Sequence, residues 1–301
     1  MNGSAPARPE WMIRQERSAA TVIKLFAMLA LRLGRNAGRL LLYPICLYYV
    51  CFAAAPRRAS RQYLAKILGR KPGFGDLFRH FHAFAACVLD RIYLLNNQTE
   101  IFDLRVEGEE FTSEVLSRGA GCLLLGAHLG SFEVLRSLGA RRPDLRVVLV
   151  MYEDNARKIT AALNAINERH DIEIISLGGA DSMLKVQATL DAGGMVGMLA
   201  DRGVGSEAET RCEFLGQSAA FPLGPFQIAA LLHCPIVLMV ALYRGGKRYD
   251  VHFEKLTDWI DVPQGQRAGA VKDVLRAYVK RLEHYCRLAP YNWFNFYDFW
   301  K

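Results

Sequence analysis

The sequence predicts an α/β fold, a central and mostly parallel sheet with an antiparallel edge, flanked by helices. Three observations lead there. From residue 103 onward, short apolar β-branched runs alternate with stretches of helical periodicity. An apolar run ends at His128, a glycine turn follows, and Glu133 opens an amphipathic stretch, a strand-turn-helix pattern. The last two runs flank Gly245-Gly246, a hairpin signal that sets one strand antiparallel to its neighbour.

The elements follow in order. Strands are expected at 121–127, 146–151, 172–177, 194–199, 235–242 and 249–254. Helices are expected near 110–118, 131–140, 154–170, 181–193, 222–233 and 268–288, the alternation of a sheet with helices on its faces. Ahead of this domain (73–301), residues 1–72 read as a separate basic and apolar helical segment. Residues 1–10 read as a disordered tail, and 11–36 and 60–68 as helices with arginines and lysines off the apolar side. Residues 75–95 are helical in pattern, with Phe78, Phe81, Phe84 and Val88 forming a core stripe.

The run 40–55 (LLLYPICLYYVCFAAA) is strongly apolar. It is shorter than the ~20 residues of a spanning helix, and Pro44 interrupts it. Arg32, Arg35 and Arg39 precede it and Arg57, Arg58 and Arg61 follow, so both flanks carry the charge that favours the cytoplasmic side. Residues 18–56 are therefore expected to lie in or dip into one leaflet. A tilted single span and a buried hairpin are the alternatives. The chain has 38 Lys and Arg against 30 Asp and Glu, a net charge of +8 that suits an anionic lipid surface or an acidic carrier protein. Nucleic acid is not expected as a partner, because the aromatics sit in apolar runs and are not interleaved with Lys and Arg.

Seven cysteines, none spaced C-x2-C, read as small core residues of a reducing compartment. His80 and His82 lack a matching ligand cluster, so no metal and no cofactor is expected. There is no P-loop, no G-x-G-x-x-G and no H-E-x-x-H. Gly216-Gln217-Ser218-Ala219-Ala220 fails as a nucleophile elbow at its last position.

The chemistry concentrates at 121–136 (GCLLLGAHLGSFEVLR). On one helix His128 and Glu133 would stand about 140° apart and would not meet. With His128 ending a strand and Ser131 opening a helix, a turn at Gly130 could fold Glu133 back beside the imidazole. Glu133 would then hold one ring nitrogen as N–H and leave the other as a base. The plainer alternative is a strand-end histidine bonded to backbone, with a glutamate favoured by the helix dipole. Asp201-Arg202-Gly203 follows another strand and falls at the same sheet edge. Asp201 and Arg202 are candidate substrate-binding residues, Arg202 for a phosphate or a developing oxyanion. Asn155 and Arg157, after the strand at 146–151, are weaker candidates for the same edge. The aromatic segment 290–300 (PYNWFNFYDFW) is expected to dock into the body.

His128-x4-Glu133 after an apolar strand resembles the signature of the lysophospholipid acyltransferase superfamily. Asp201-Arg202-Gly203, Gly224-Pro225 and Asn292-Trp293-Phe294 resemble its lipid A secondary acyltransferase branch. Pro222-Leu223-Gly224 stands where the glycerophosphate branch carries Pro-Glu-Gly, and Arg202 where the lipid A branch often has glutamine. The resemblance implies a membrane-associated O-acyltransferase at the cytoplasmic face of the inner membrane. Its donor would be a thioester on acyl carrier protein or coenzyme A, and its acceptor a hydroxyl of lipid A or a related lipid. His128 would be the base and Glu133 its partner, with Arg202 or the amides near Gly130 and Ser131 holding the oxyanion. A membrane-associated thioesterase and a non-catalytic lipid-binding protein are the competing classes.

Overall fold

The computed structural model describes residues 20–119, 121–134, 138, 146–152, 166, 173–178, 181–203, 208–260 and 263–301. Eight helices are bounded within them: α1 (Ala20–Leu33), α2 (Arg35–Phe52), α3 (Ala54–Leu68), α4 (Phe74–Leu95), α5 (Glu109–Ser117), α6 (Ser182–Asp191), α7 (Gly224–Leu232) and α8 (Arg267–Leu288). The strands are β1 (Asp103–Glu107), β2 (Cys122–Gly126), β3 (Val147–Tyr152), β4 (Glu173–Leu177), β5 (Met195–Leu199), β6 (Glu209–Phe214), β7 (Gln217–Pro222), β8 (Ile236–Tyr243) and β9 (Arg248–Thr257). The expected tail at 1–10 and most of the expected helix at 154–170 lie outside the described residues.

Seven strands form one sheet in the order β1-β9-β8-β2-β5-β3-β4. β8, β2, β5, β3 and β4 run parallel, and β9 turns back against β8. The hairpin forms at Gly245-Gly246, both at positive φ. β1 lies outside β9 and parallel to it, so the antiparallel edge is two strands wide. β1 escaped the pattern because its residues alternate exposed and half-buried, with charges at three of five positions. β6 and β7 form a separate antiparallel pair, also unexpected, whose outer residues are polar.

β2 and β8 are buried along their whole lengths, as central strands covered on both faces should be. α8 covers one face and ties down β2 through Tyr278, whose buried hydroxyl donates to the Gly126 carbonyl at 2.9 Å. Glycines at two strand positions admit a ring: a Cβ on Gly126 or Gly197 would come within 3.0 Å and 2.9 Å of Phe132.

α2 packs along α4 through a repeat of buried residues, Arg35, Gly38, Leu42, Cys46 and Val50. Arg35 anchors it: Nε and Nη2 donate to the Asp90 carboxylate at 2.7 and 2.9 Å, and Tyr249 Oη donates to the same group at 2.8 Å. Both charges are buried, so removing either one leaves the other unpaired, at a cost of about 3–5 kcal/mol. The other side of α2 exposes Leu40, Leu41, Tyr43, Ile45, Leu47, Tyr48, Tyr49 and Phe52. Among the described residues no single helix is long and apolar enough to cross a membrane. α2 and α3 pass that test only together, and they are bent by 91° at their junction. All seven cysteines are free thiols, six of them buried.

Candidate active site

β2 and β5 are neighbouring parallel strands, with Gly126 opposite Leu199. Two residues past that pair stand His128 and Asp201, so the register alone sets them side by side, about one strand spacing apart. The His128 ring Nδ1 lies 2.8 Å from Asp201 Oδ1, and the His128 backbone N–H donates to Oδ2 at 3.1 Å. Two more donors converge on Oδ2: Trp293 Nε1 at 3.0 Å and Asn295 Nδ2 at 3.1 Å. An ionised carboxylate only accepts, so Nδ1 carries the imidazole proton and Nε2 presents its lone pair. Nε2 has no hydrogen-bond partner among the described residues, and the His128 side chain is 32% exposed while Asp201 is fully buried.

Electrostatics keep this pair in the states a base needs. Burial lowers the His128 pKa from its ordinary value near 6.5, and the Arg202 charge lowers it further, outweighing the pull of Asp201 upward. The imidazole is thus neutral at neutral pH. Burial pushes the Asp201 carboxyl up, but His128, the hydrogen bonds and Arg202 more than offset it and hold the group well below the usual carboxylate range.

The carboxylate on the ring is therefore Asp201, which corrects the expectation for Glu133. Glu133 is indeed in helical geometry just past the turn, but it is taken by Arg91 Nε at 2.6 Å, and Ser131 Oγ donates to it at 3.3 Å. A helix-start residue points along its own helix, whereas the neighbouring strand delivers Asp201 in register. The backbone amides at the turn are also engaged. Gly130 N–H donates to the Asn292 carbonyl and Ser131 N–H to the Ala241 carbonyl, each at 2.9 Å, so neither serves as the oxyanion donor expected of it. Gly130 itself is required: φ is +72°, and a Cβ there would come within 1.8 Å of the Ala241 oxygen.

Arg202 reaches back to the 292–297 segment. Its Nε bonds Asn295 Oδ1, its Nη2 donates to the Phe294 carbonyl at 2.9 Å, and its guanidinium lies 5.3 Å from the centre of the Tyr297 ring. Burial lowers its pKa. Asn155 and Arg157 lie outside the described residues. Among the described residues no three His, Cys, Asp or Glu gather as a metal site.

The segment 292–295 is the part of the site that residue reading missed. Leu129 and Trp293 form an antiparallel bridge, and Phe294 N–H donates to the His128 carbonyl at 2.7 Å. Trp293 is fully buried against Tyr63, Phe214 and Phe299, with ring centres 5.0, 5.2 and 4.7 Å away. Its carbonyl accepts from His80 Nε2 at 2.8 Å, and His80 Nδ1 pairs with Ser60 Oγ at 2.8 Å. The expected docking of 290–300 is what occurs, but its polar tips supply the clamp on Asp201. The density of Asn and Trp in an otherwise aromatic run was the available signal, because a buried indole N–H needs an acceptor.

One comparison decides the family. Residues 83–301 match the profile described as bacterial lipid A biosynthesis acyltransferase. The chain belongs to this family. Comparison with individual curated proteins gave no match. Membership in the lipid A acyltransferase family makes the protein an acyltransferase that acts on a lipid. The matched region holds every strand of the sheet, the His128–Asp201 pair and the 292–295 segment.

Proposed function

We propose that the protein moves a fatty acyl group from a thioester, carried on acyl carrier protein, to a hydroxyl of a lipid A-type or related membrane lipid. The observation that carries this reading is the His128–Asp201 contact at 2.8 Å, which leaves a neutral Nε2 unpartnered at the carboxyl edge of the sheet. His128 Nε2 takes the proton of the acceptor hydroxyl as its oxygen attacks the thioester carbonyl. The tetrahedral intermediate collapses to the ester, and the departing thiolate takes the proton back from the imidazolium. Asp201 fixes the tautomer and balances the transient positive charge. Arg91, paired with Glu133, is a further cation whose charge favours the neutral imidazole. Arg202 orders the 292–297 segment and strengthens the field around Asp201.

The work is done at the cytoplasmic face of the inner membrane, with the apolar side of α2 against the lipid. The net charge of +8 and the exposed Arg58 and Arg61 suit an acidic carrier protein. The test is lipid mass spectrometry on cells lacking the gene and on cells restored with wild type or His128→Ala. One lipid species should lose a single acyl group and regain it only with wild type. In vitro, His128→Ala should slow transfer by about 10²–10⁴-fold. Free fatty acid released faster than acyl-lipid forms would assign the protein to the hydrolases instead, and unchanged turnover in His128→Ala would remove the base.

A further inference from the structure

Away from His128, α4 takes part in a concave region. His82 and Arg91, nine residues apart, lie about 180° apart around the helix. Arg91 faces the catalytic side, and His82 faces a groove between α4, α2, the β8–β9 turn and the segment after α8. Two adjoining hollows of about 670 and 570 Å³ share Tyr43, Phe78 and Arg79 as lining. Each falls in the range of roughly 300–1,000 Å³ usual for ligand sites.

The two halves differ in chemistry. One is walled by Tyr43, Pro44, Leu47, Phe74 and Phe78 and offers almost nothing polar. The other adds Arg79, His82, Arg244 and the 288–292 corner. The carboxylates bonded to its lining are already occupied: Asp76 by Arg70 and Tyr291, and Asp250 by Arg244 and Arg248. Arg79 is exposed and Arg39 stands at the rim on Tyr243 Oη at 2.7 Å, and neither has a carboxylate partner among the described residues. His82 is packed between Tyr43 and Phe78, at 5.2 and 5.9 Å, and its buried Nε2 finds no partner. The apolar half opens through Tyr43 and Leu47 onto the exposed side of α2.

We propose that this groove holds one anionic phospholipid of the bilayer, its phosphate against Arg79 and one acyl chain along Tyr43, Leu47, Phe74 and Phe78. An apolar slot ending at the Arg79 guanidinium, which has no carboxylate partner among the described residues, complements a molecule with a single chain entering and a phosphate behind it. Because the groove lies across α4 from His128, the bound lipid is not the one acylated but a clamp that sets the protein's orientation on the surface. The inference rests on the reading that α2 faces a bilayer.

The experiment uses the full chain in nonionic detergent, titrated with lysophosphatidylglycerol or lysophosphatidylcholine of equal chain length below their micelle thresholds. One lysophosphatidylglycerol should bind, about tenfold tighter than the choline lipid. Arg79→Gln should erase that preference. Gly75→Trp, which fills the apolar half at a position where a Cβ meets nothing within 4 Å, should abolish binding of both. Both variants should keep acyl transfer to a detergent-dispersed acceptor within twofold. Equal affinities in the wild type, unaltered binding in Gly75→Trp, or inorganic phosphate binding as tightly as the lysolipid would overturn the assignment. Flotation with phosphatidylglycerol vesicles tests the bilayer reading separately. If the protein fails to float while the titration behaves as stated, the bilayer reading of α2 falls and the orienting role with it, while the groove remains a lysolipid site.

Discussion

Replacing Asp201 with asparagine should disable the base without removing it. The carboxylate accepts from four N–H groups, three of them on Oδ2 at 3.0–3.1 Å and one, His128 Nδ1, on Oδ1 at 2.8 Å. An amide has one acceptor and one donor end. Turned with its nitrogen toward the Oδ2 position, it would face His128 N–H, Trp293 Nε1–H and Asn295 Nδ2–H and leave three buried donors unsatisfied, at roughly 1–3 kcal/mol each. Turned the other way it keeps all three. Its nitrogen then donates to His128 Nδ1, which forces the ring proton onto Nε2. The imidazole that results is neutral, well placed and unable to accept a proton from an alcohol. The wrong tautomer in a serine-protease triad lowers turnover by about 10⁴, equivalent to roughly 5.5 kcal/mol of barrier, and a comparable loss is expected here. The assay is acyl transfer from acyl carrier protein to a detergent-dispersed acceptor, with thermal unfolding in parallel to establish that Asp201→Asn folds. Glu133→Gln, measured beside it, should lose far less. A folded Asp201→Asn enzyme within tenfold of wild type would refute the tautomer argument, and a larger loss from Glu133→Gln would return the orienting role to that residue.

Three other outcomes follow from the same contacts. The kcat/KM profile should fall on the acid side through one protonation centred below pH 6.5, because His128 is lowered and must be neutral to act; an inflection above 6.5 would contradict the electrostatics described. Gly130→Ala should abolish transfer and lower Tm, since the added carbon meets the Ala241 carbonyl in a left-handed backbone; wild-type turnover in that variant would refute the turn geometry. Burial lowers His80 to about 4, so below pH 6.5 the unfolded chain binds a proton that the folded one refuses. Stability is then lost as pH falls from 6.5 toward 4, by roughly 3 kcal/mol in all. In denaturant titrations His80→Gln should flatten that part of the pH dependence, and an unaltered slope would rule His80 out as its source.

The interior of the sheet was legible because parallel strands covered on both faces read as continuous apolar runs, as β2, β3, β5 and β8 do. β1 (DLRVE) was not, since an edge strand carries its charges outward and loses the contrast that marks a core strand. In the site, His128 and Asp201 both announce themselves as polar residues ending apolar strands. Which carboxylate serves the imidazole depends on strand order, and sequence spacing favours Glu133 because it counts along the chain and not across the sheet. Arg202 invited a substrate role for the same reason. Its partners, Asn295 and the Phe294 carbonyl, lie more than ninety residues away in sequence. The family match begins at residue 83, inside α4, and α2 packs along that same helix.

The clamp formed by 292–295 has a consequence for how activity is acquired. A polypeptide cut short after α8 retains every strand and both residues of the proton-transfer pair, yet Asp201 loses two of its donors and Gly130 its acceptor. Such a product could assemble a sheet and still be chemically silent. Competence for acyl transfer is thereby withheld until the 292–295 segment has docked onto Asp201 and the turn at Gly130.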